Sequence, residues 1–325
     1  MKSFIHANAR TVAEAVKLLK RYNGKAKVNA GGTDLLGVLK DRILPEDPDA
    51  IINIKTIPGL DYIRKDSKGL KIGALTSLSD ICSSPKVREG YSVLAEAAYA
   101  VATPQIRNMA TLGGNLCQDV RCWYYRYPNE IGGRILCLRK GSGPCLAVKG
   151  DNRYHAILEG KKCFAVCPSD TAIALTALGA KLKIAGSEGR KIVPIKDFFL
   201  TLGDILMPDE MITEVQIPKP PKKAKQTFIK FVLRKPVDFA IVSVASILAI
   251  EGGVCSEAAI VLGAVAPTPF RAVEAEKVIK GKVIDTVTSA KAAEAAVMAA
   301  KPLSKNAYKI EITKTLIKRS LLGSS

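Results

Sequence analysis

The sequence predicts an α+β protein with more than one compact unit, and three observations predict it. At 325 residues the chain can form two or three units, each with its own core. Hydrophobic residues at 48% and charged residues at 24% are globular proportions. In the last third, strand-like runs precede alanine-rich helical runs, which is the order of an α+β domain.

The elements follow in chain order. Thr11 is placed to cap a helix that carries Val12, Ala15, Val16 and Leu19 on one face. Lys25–Ala30 reads as a short strand running into Gly31-Gly32, and Ala50–Ile54 as a second strand beyond a proline-containing connection. Leu70–Ala74 is a strand pattern, Leu78–Ile81 opens a short helix, and Tyr91–Val101 is an alanine-rich helical stretch. From Cys117 to Lys162 all periodicity is lost. Structureless connections beyond about 12–15 residues are functional or disordered, and the cysteines here argue against disorder. Thr171–Leu178 restores helical order before the strand Lys181–Ala185. Lys219–Lys225 has a linker's composition. Strand-like Phe228–Leu233, Ala240–Ile250 and Ala258–Val265 come next, then helical Val287–Ala300 and Ala307–Leu322.

No apolar run approaches the roughly 18 residues that cross a bilayer. The start, Met1-Lys2-Ser3-Phe4-Ile5-His6, lacks the apolar stretch of a secretory signal, so a soluble cytoplasmic protein is expected. The net charge of +19 comes from lysines and arginines spread along the chain, apart from Lys219-Pro220-Pro221-Lys222-Lys223. No zinc-finger or RNA-binding signature accompanies them. The expected partners are therefore acidic proteins, not nucleic acid or membrane.

Two glycine pairs carry candidate chemistry. Glycine accepts positive φ and lets backbone approach a ligand closely, so Gly31-Gly32-Thr33-Asp34 after a strand could offer amides to a diphosphate. Gly113-Gly114-Asn115 could do the same from the other side. Neither is G-x-G-x-x-G, so a doubly wound dinucleotide fold is not expected. Alone, such pairs are weak evidence and read more readily as ordinary tight turns. Six of the eight cysteines fall between Cys117 and Cys167, which in a reducing compartment points to metal or redox ligation. Four thiolates suit a [4Fe–4S] cluster, but the spacing is not that of bacterial ferredoxins and zinc is chemically possible.

Ala30-Gly31-Gly32-Thr33-Asp34-Leu35 and Thr103-Pro104-Gln105-Ile106-Arg107-Asn108-Met109-Ala110-Thr111-Leu112-Gly113-Gly114-Asn115 resemble the two pyrophosphate loops of FAD subunits in the xanthine oxidase (molybdenum hydroxylase) family. A third match runs from Phe228-Ile229-Lys230-Phe231 through Arg234 to Asp238-Phe239-Ala240-Ile241-Val242. Together the three span nearly the whole chain in the family's order. The resemblance implies an FAD-binding domain of the vanillyl-alcohol-oxidase (PCMH) type over residues 1–218, with subdomains of about 1–56 and 57–218. A C-terminal α+β domain of the CO dehydrogenase flavoprotein type, 223–325, would follow. It also implies non-covalent FAD held by Asn29, Ala30, Gly31, Gly32, Thr33, Asp34, Leu35, Val101, Thr111, Gly113, Gly114 and Asn115. Asp170, Lys230 and Leu206 would approach the flavin; without the resemblance they read as a helix-start carboxylate, a solvated lysine and a core leucine. The only histidines, His6 and His155, have no partner motif and receive no role.

The insertion at 117–167 resembles that of 4-hydroxybenzoyl-CoA reductase beta subunits, which carry an additional [4Fe–4S] cluster. That resemblance implies Cys122, Cys137, Cys145 and Cys163 as ligands, with Cys117 and Cys167 the nearest substitutes. The stretch between Cys145 and Cys163 is longer here than in the reductase. Cys117, Cys167, Cys82 and Cys255 otherwise read as small buried hydrophobes. The implied partners are a [2Fe–2S] small subunit and a molybdenum-cofactor large subunit, with ferredoxin or NAD as external carrier. An NAD-linked subunit with a structural cluster and a scaffold without FAD are the rival readings.

Overall fold

In the computed structural model, which describes residues 1–131, 133–235 and 237–323, strands Ile5–Asn8, Ala50–Asn53 and Ala26–Asn29 form a parallel sheet in that spatial order. Parallel strands need a crossover, and helix Val12–Tyr22 supplies the one between the two edge strands, Ile5–Asn8 and Ala26–Asn29. Thr11 caps it by accepting from the Glu14 amide at 3.1 Å, and Ala15, Val16 and Leu19 face the sheet. The central strand Ala50–Asn53 is buried throughout.

The second sheet is antiparallel, ordered Ile63–Lys65, Gly69–Gly73, Met211–Pro218, Lys181–Gly186, Gly189–Pro194. Its central strand returns from far along the chain, so the helices and the cysteine segment lie between sequence-distant neighbours. Ser92–Tyr99 and Asp170–Ala177 pack on this sheet around Leu70, Ile72, Leu94, Leu112, Ile173 and Val215. Helix Asp170–Ala177 is buried on nearly every side because the C-terminal sheet covers its far face. Ala245, Ile247 and Val261 of that sheet belong to the same core, so apolar packing continues across the 219–225 connection.

The C-terminal sheet is antiparallel, in the order Lys225–Phe231, Val242–Glu251, Val254–Gly263, Phe270–Arg271. Helices Val273–Ile279, Thr286–Val297 and Tyr308–Leu322 complete this α+β unit. Two expected boundaries move. Lys225, read as linker, is already paired in the first strand. The third strand begins at Val254 because Gly252-Gly253, with φ of 57° and 84°, closes a two-residue hairpin before it.

The cysteine segment contains one short helix, Trp123–Arg126, and the 3-10 turns Leu138–Lys140 and Leu146–Val148. It has its own small core of Val38, Ile43, Val120, Tyr125, Cys163 and Ala165. Its far end is pinned to the C-terminal domain, where the Ile157 and Leu158 amides donate to the Val265 carbonyl at 2.9 and 3.0 Å.

Candidate functional site

A cavity of about 980 Å³ opens where the first two sheets and the C-terminal domain meet. It is lined by Asn29, Ala30, Gly31, Gly32, Thr33, Asp34, Leu35, Val101, Thr111, Gly113, Gly114 and Asn115, and also by Asp170, Leu206 and Lys230. Its size is at the upper end for small-molecule sites, which suits an extended ligand.

The two glycine segments are built differently from the expected pair of positive-φ nests. Only Gly32 has positive φ, at 71°. Gly31 is required by contact: a Cβ there would lie 2.7 Å from the Met109 carbonyl carbon and closer to its oxygen. The first segment thus packs directly on the backbone preceding the second. Thr111-Leu112-Gly113-Gly114-Asn115 is the start of a helix, Leu112–Leu116, and the Gly114 amide donates to Thr111 Oγ1 at 3.2 Å. Gly113 lies against Ala74, where a Cβ would come within 3.0 Å of the alanine side chain. Among the described residues Asn29 Oδ1, buried beside these turns, has no hydrogen-bond partner, as expected of a group awaiting a ligand donor. Asn115 Oδ1 accepts from the Ser169 and Thr171 hydroxyls at 2.6 Å each, so that atom locks the cavity wall.

Asp170 begins its helix, with Ser169 as N-cap. Lys230 is not the solvated lysine its charge suggests: its Nζ meets Asp170 Oδ2 at 2.7 Å and donates to the Ala100 carbonyl at 2.9 Å. Both side chains are under a tenth exposed. Burial pushes the Asp170 carboxyl up, and the Lys230 charge opposes that shift. Leu206 is a partly buried neighbour of the main core rather than part of it. Asp204, also on the cavity, was not anticipated; burial raises its carboxyl above the usual range.

Asp34 joins the first glycine segment to the cysteine segment. It accepts from the Asp119 amide at 2.8 Å and from Arg126 Nη2 at 2.7 Å, and it pairs with Arg121. Burial alone would raise the carboxyl, but Arg121 and Arg126 hold it below the usual range. Arg121 also stacks on Phe239 of the C-terminal domain, with its guanidinium carbon 4.6 Å from the ring centre. Nothing in the local sequence pairs these arginines with a residue so far upstream.

Cys122 and Cys137 pack against the small core that contains Cys163. Cys145 and Cys163 both lie close enough to Cys122 to act electrostatically on its thiol. Burial is the main cause that pushes that thiol up to about 11. The buried ammonium of Lys140 lies near Cys137 and Cys122 and donates to the Tyr127 carbonyl and Asn129 Oδ1. Among the described residues, no three His, Cys, Asp or Glu side chains converge as a single metal ion would require. Cys117 and Cys167 sit apart, on the cavity wall. Cys117 is exposed there, contrary to the reading as a small buried hydrophobe, because the irregular chain after the Leu112–Leu116 helix opens it to the cavity. Cys167 and Cys255 are buried, as that reading expects, and Cys82 is only half-buried. His155, to which the sequence assigned nothing, places Nε2 3.2 Å from Cys122 Sγ. Burial and the Lys309 charge lower its pKa to about 4, so the ring is neutral.

Two glycine segments at the junction of α+β subdomains, backed by a third α+β domain, define a flavoprotein subunit of this architecture. Residues 2–220 match the FAD binding domain in molybdopterin dehydrogenase, and 227–323 match the CO dehydrogenase flavoprotein C-terminal domain. The chain belongs to this family of FAD-binding subunits of molybdenum hydroxylase-type complexes. It is similar to the aldehyde oxidoreductase FAD-binding subunit PaoB of Escherichia coli K12, with 37% identity over 83% of this chain and 84% of the relative. It is 28% identical to the carbon monoxide dehydrogenase medium chain of Afipia carboxidovorans, over 87% and 82% of the two chains. The structure of carbon monoxide dehydrogenase from Hydrogenophaga pseudoflava superposes with a TM-score of 0.80 at 28% identity, covering 99% of this chain and 97% of that one. The expected α+β flavoprotein fold is therefore the fold observed. Among the described residues, no helix is long and apolar enough to cross a membrane.

Proposed function

We propose that this chain relays electrons between the [2Fe–2S] clusters of a small partner subunit and an external carrier, beside a molybdenum-cofactor subunit. We propose further that its insertion carries a [4Fe–4S] cluster on Cys122, Cys137, Cys145 and Cys163, in the manner of 4-hydroxybenzoyl-CoA reductase beta subunits. The reading places it in the cytoplasm, where thiols stay reduced.

One observation carries the combined reading: Asp34, in the flavin cradle, is bonded to Asp119, Arg121 and Arg126, and Arg121 directly precedes Cys122. A flavin bound in the cavity supplies one- and two-electron chemistry. Residues 29–33 would hold the flavin's diphosphate end: the backbone of Gly31 and Gly32 could offer amides, Thr33 a hydroxyl, and Asn29 Oδ1 would accept a ligand donor. Asp170 and Lys230, an ion pair buried on the cavity wall, would stand near the ring without presenting a net charge to it. Cys122 and Cys137 pack against the small core that contains Cys163, and Cys145 acts on Cys122 through its charge, which supports one shared site for the four; a cluster is the occupant proposed in preference to zinc.

The charge of +19 favours an acidic carrier such as a ferredoxin, whose docking salt would screen. Reduction of the bound flavin by reduced ferredoxin is expected to be fast at low salt and to fall steeply as salt rises. Salt-independent reduction, or faster reduction by NADH, would favour the NAD-linked reading.

A further inference from the structure

His155 is held with unusual completeness for a residue with no assigned role. Its ring is 3% exposed and stands against Trp123 and Tyr124, with ring centres 5.8 and 6.1 Å away. Its amide donates to the Asn152 carbonyl at 3.0 Å. Its own carbonyl accepts from Asn306 Nδ2 and Lys309 Nζ, each at 3.1 Å. These contacts hold the residue in place, and among the described residues the ring's one polar contact is Nε2 to Cys122 Sγ at 3.2 Å. Nδ1 is buried with no partner among the described residues. A phenylalanine or leucine would fill the same space without that unpaired atom, so packing alone does not account for an imidazole here.

A cluster-bound Cys122 sulfur is a thiolate and can only accept, so the proton of the contact must sit on Nε2. We propose that His155 is a positioning residue that donates Nε2–H to the Cys122 sulfur and raises the reduction potential of the cluster in the 117–167 insertion. This inference rests on the cluster reading above. Hydrogen bonds to cluster sulfurs favour the more electron-rich, reduced state, and burial makes this one count. Lys140, buried near Cys122 and Cys137, acts in the same direction by its charge. The cluster would therefore accept electrons more readily than bare thiolate ligation allows. That suits a site which takes electrons from a low-potential carrier.

The test is a redox titration of the anaerobically purified full chain, followed by electron paramagnetic resonance, for wild type and His155→Phe. The expected result is unchanged iron content with a reduction equilibrium constant about tenfold lower, which is about 59 mV for a one-electron couple. An intact cluster with an unchanged potential would overturn the inference while leaving the cluster reading standing. Wild-type chain without iron would overturn both. If His155→Phe loses its iron, hyperfine spectra of the reduced wild-type cluster in chain made with ¹⁵N-histidine decide. The only other histidine, His6, is exposed on the first strand, so a nitrogen coupling reports His155, and its absence refutes the hydrogen bond.

Discussion

Substituting Gly31 by alanine tests whether the two glycine segments are held together by backbone contact. The added Cβ would sit 2.7 Å from the Met109 carbonyl carbon and 3.1 Å from Ala110 Cα, where non-bonded carbons settle at roughly 3.5 Å or more. These two atoms and the Met109 carbonyl oxygen, which the Cβ would approach closer still, are all backbone, so no side chain can rotate away and the segments must part by roughly 1 Å. Overpacking of this kind costs about 1–3 kcal/mol, and the upper half of that range applies to a backbone clash. The same displacement moves the amides meant for the ligand, so flavin affinity should fall by about tenfold or more. Gly37 is an internal control six residues on. It lies in helix Leu35–Lys40 with nothing within 4 Å of an added Cβ, so Gly37→Ala should stabilise by up to about 1 kcal/mol. Urea denaturation and titration of flavin into the apoprotein read both quantities. Gly31→Ala with wild-type stability and affinity, or an equal loss in Gly37→Ala, would refute the reasoning.

Other consequences follow from the buried charges. Asp34→Asn weakens the bonds to Arg121 and Arg126 and should cost roughly 2–3 kcal/mol, with faster proteolytic cleavage within the cysteine segment. Lys230→Met leaves the Asp170 carboxyl buried alone and should cost about 3–5 kcal/mol near neutral pH. Because burial already raises that carboxyl, the penalty should shrink as pH falls and the carboxyl protonates, which denaturation at two pH values would show. Lys309 is fully buried and its pKa is lowered to about 7 from 10.5, so the unfolded chain takes up the proton first as pH falls. Its contribution to stability is present above pH 10.5 and is lost progressively as pH falls from 10.5 to about 7, a swing of roughly 5 kcal/mol. Lys309→Met should flatten the stability profile over that range.

Much of the fold was legible where periodicity and caps coincide. Thr11 and the face of Val12, Ala15, Val16 and Leu19 gave the first helix, and the alternating or β-branched runs gave most central strands. Gly189–Pro194 was missed because it is an exposed edge strand in which Ile192 and Val193 are adjacent, so no apolar–polar alternation marks it. Met211–Pro218 was missed because buried Thr213 and Glu214 blur its alternation. The cavity-lining residues were legible only through their motifs. By physics alone two glycine pairs are ordinary, and what distinguishes Gly31 is a contact with a carbonyl far along the chain. The Asp34 clamp, the Asp170–Lys230 pair and the His155 contact to Cys122 all join sequence-distant segments. Local pattern carries no signal for such pairings.

The most direct test of the combined flavin and cluster reading is cofactor analysis of the full chain purified without oxygen. The expected result is one FAD and about four irons per chain, with the iron lost in Cys122→Ser and the flavin retained. Flavin with no iron, or with one zinc in its place, would contradict the cluster, and a chain that retains no flavin would contradict the cradle itself.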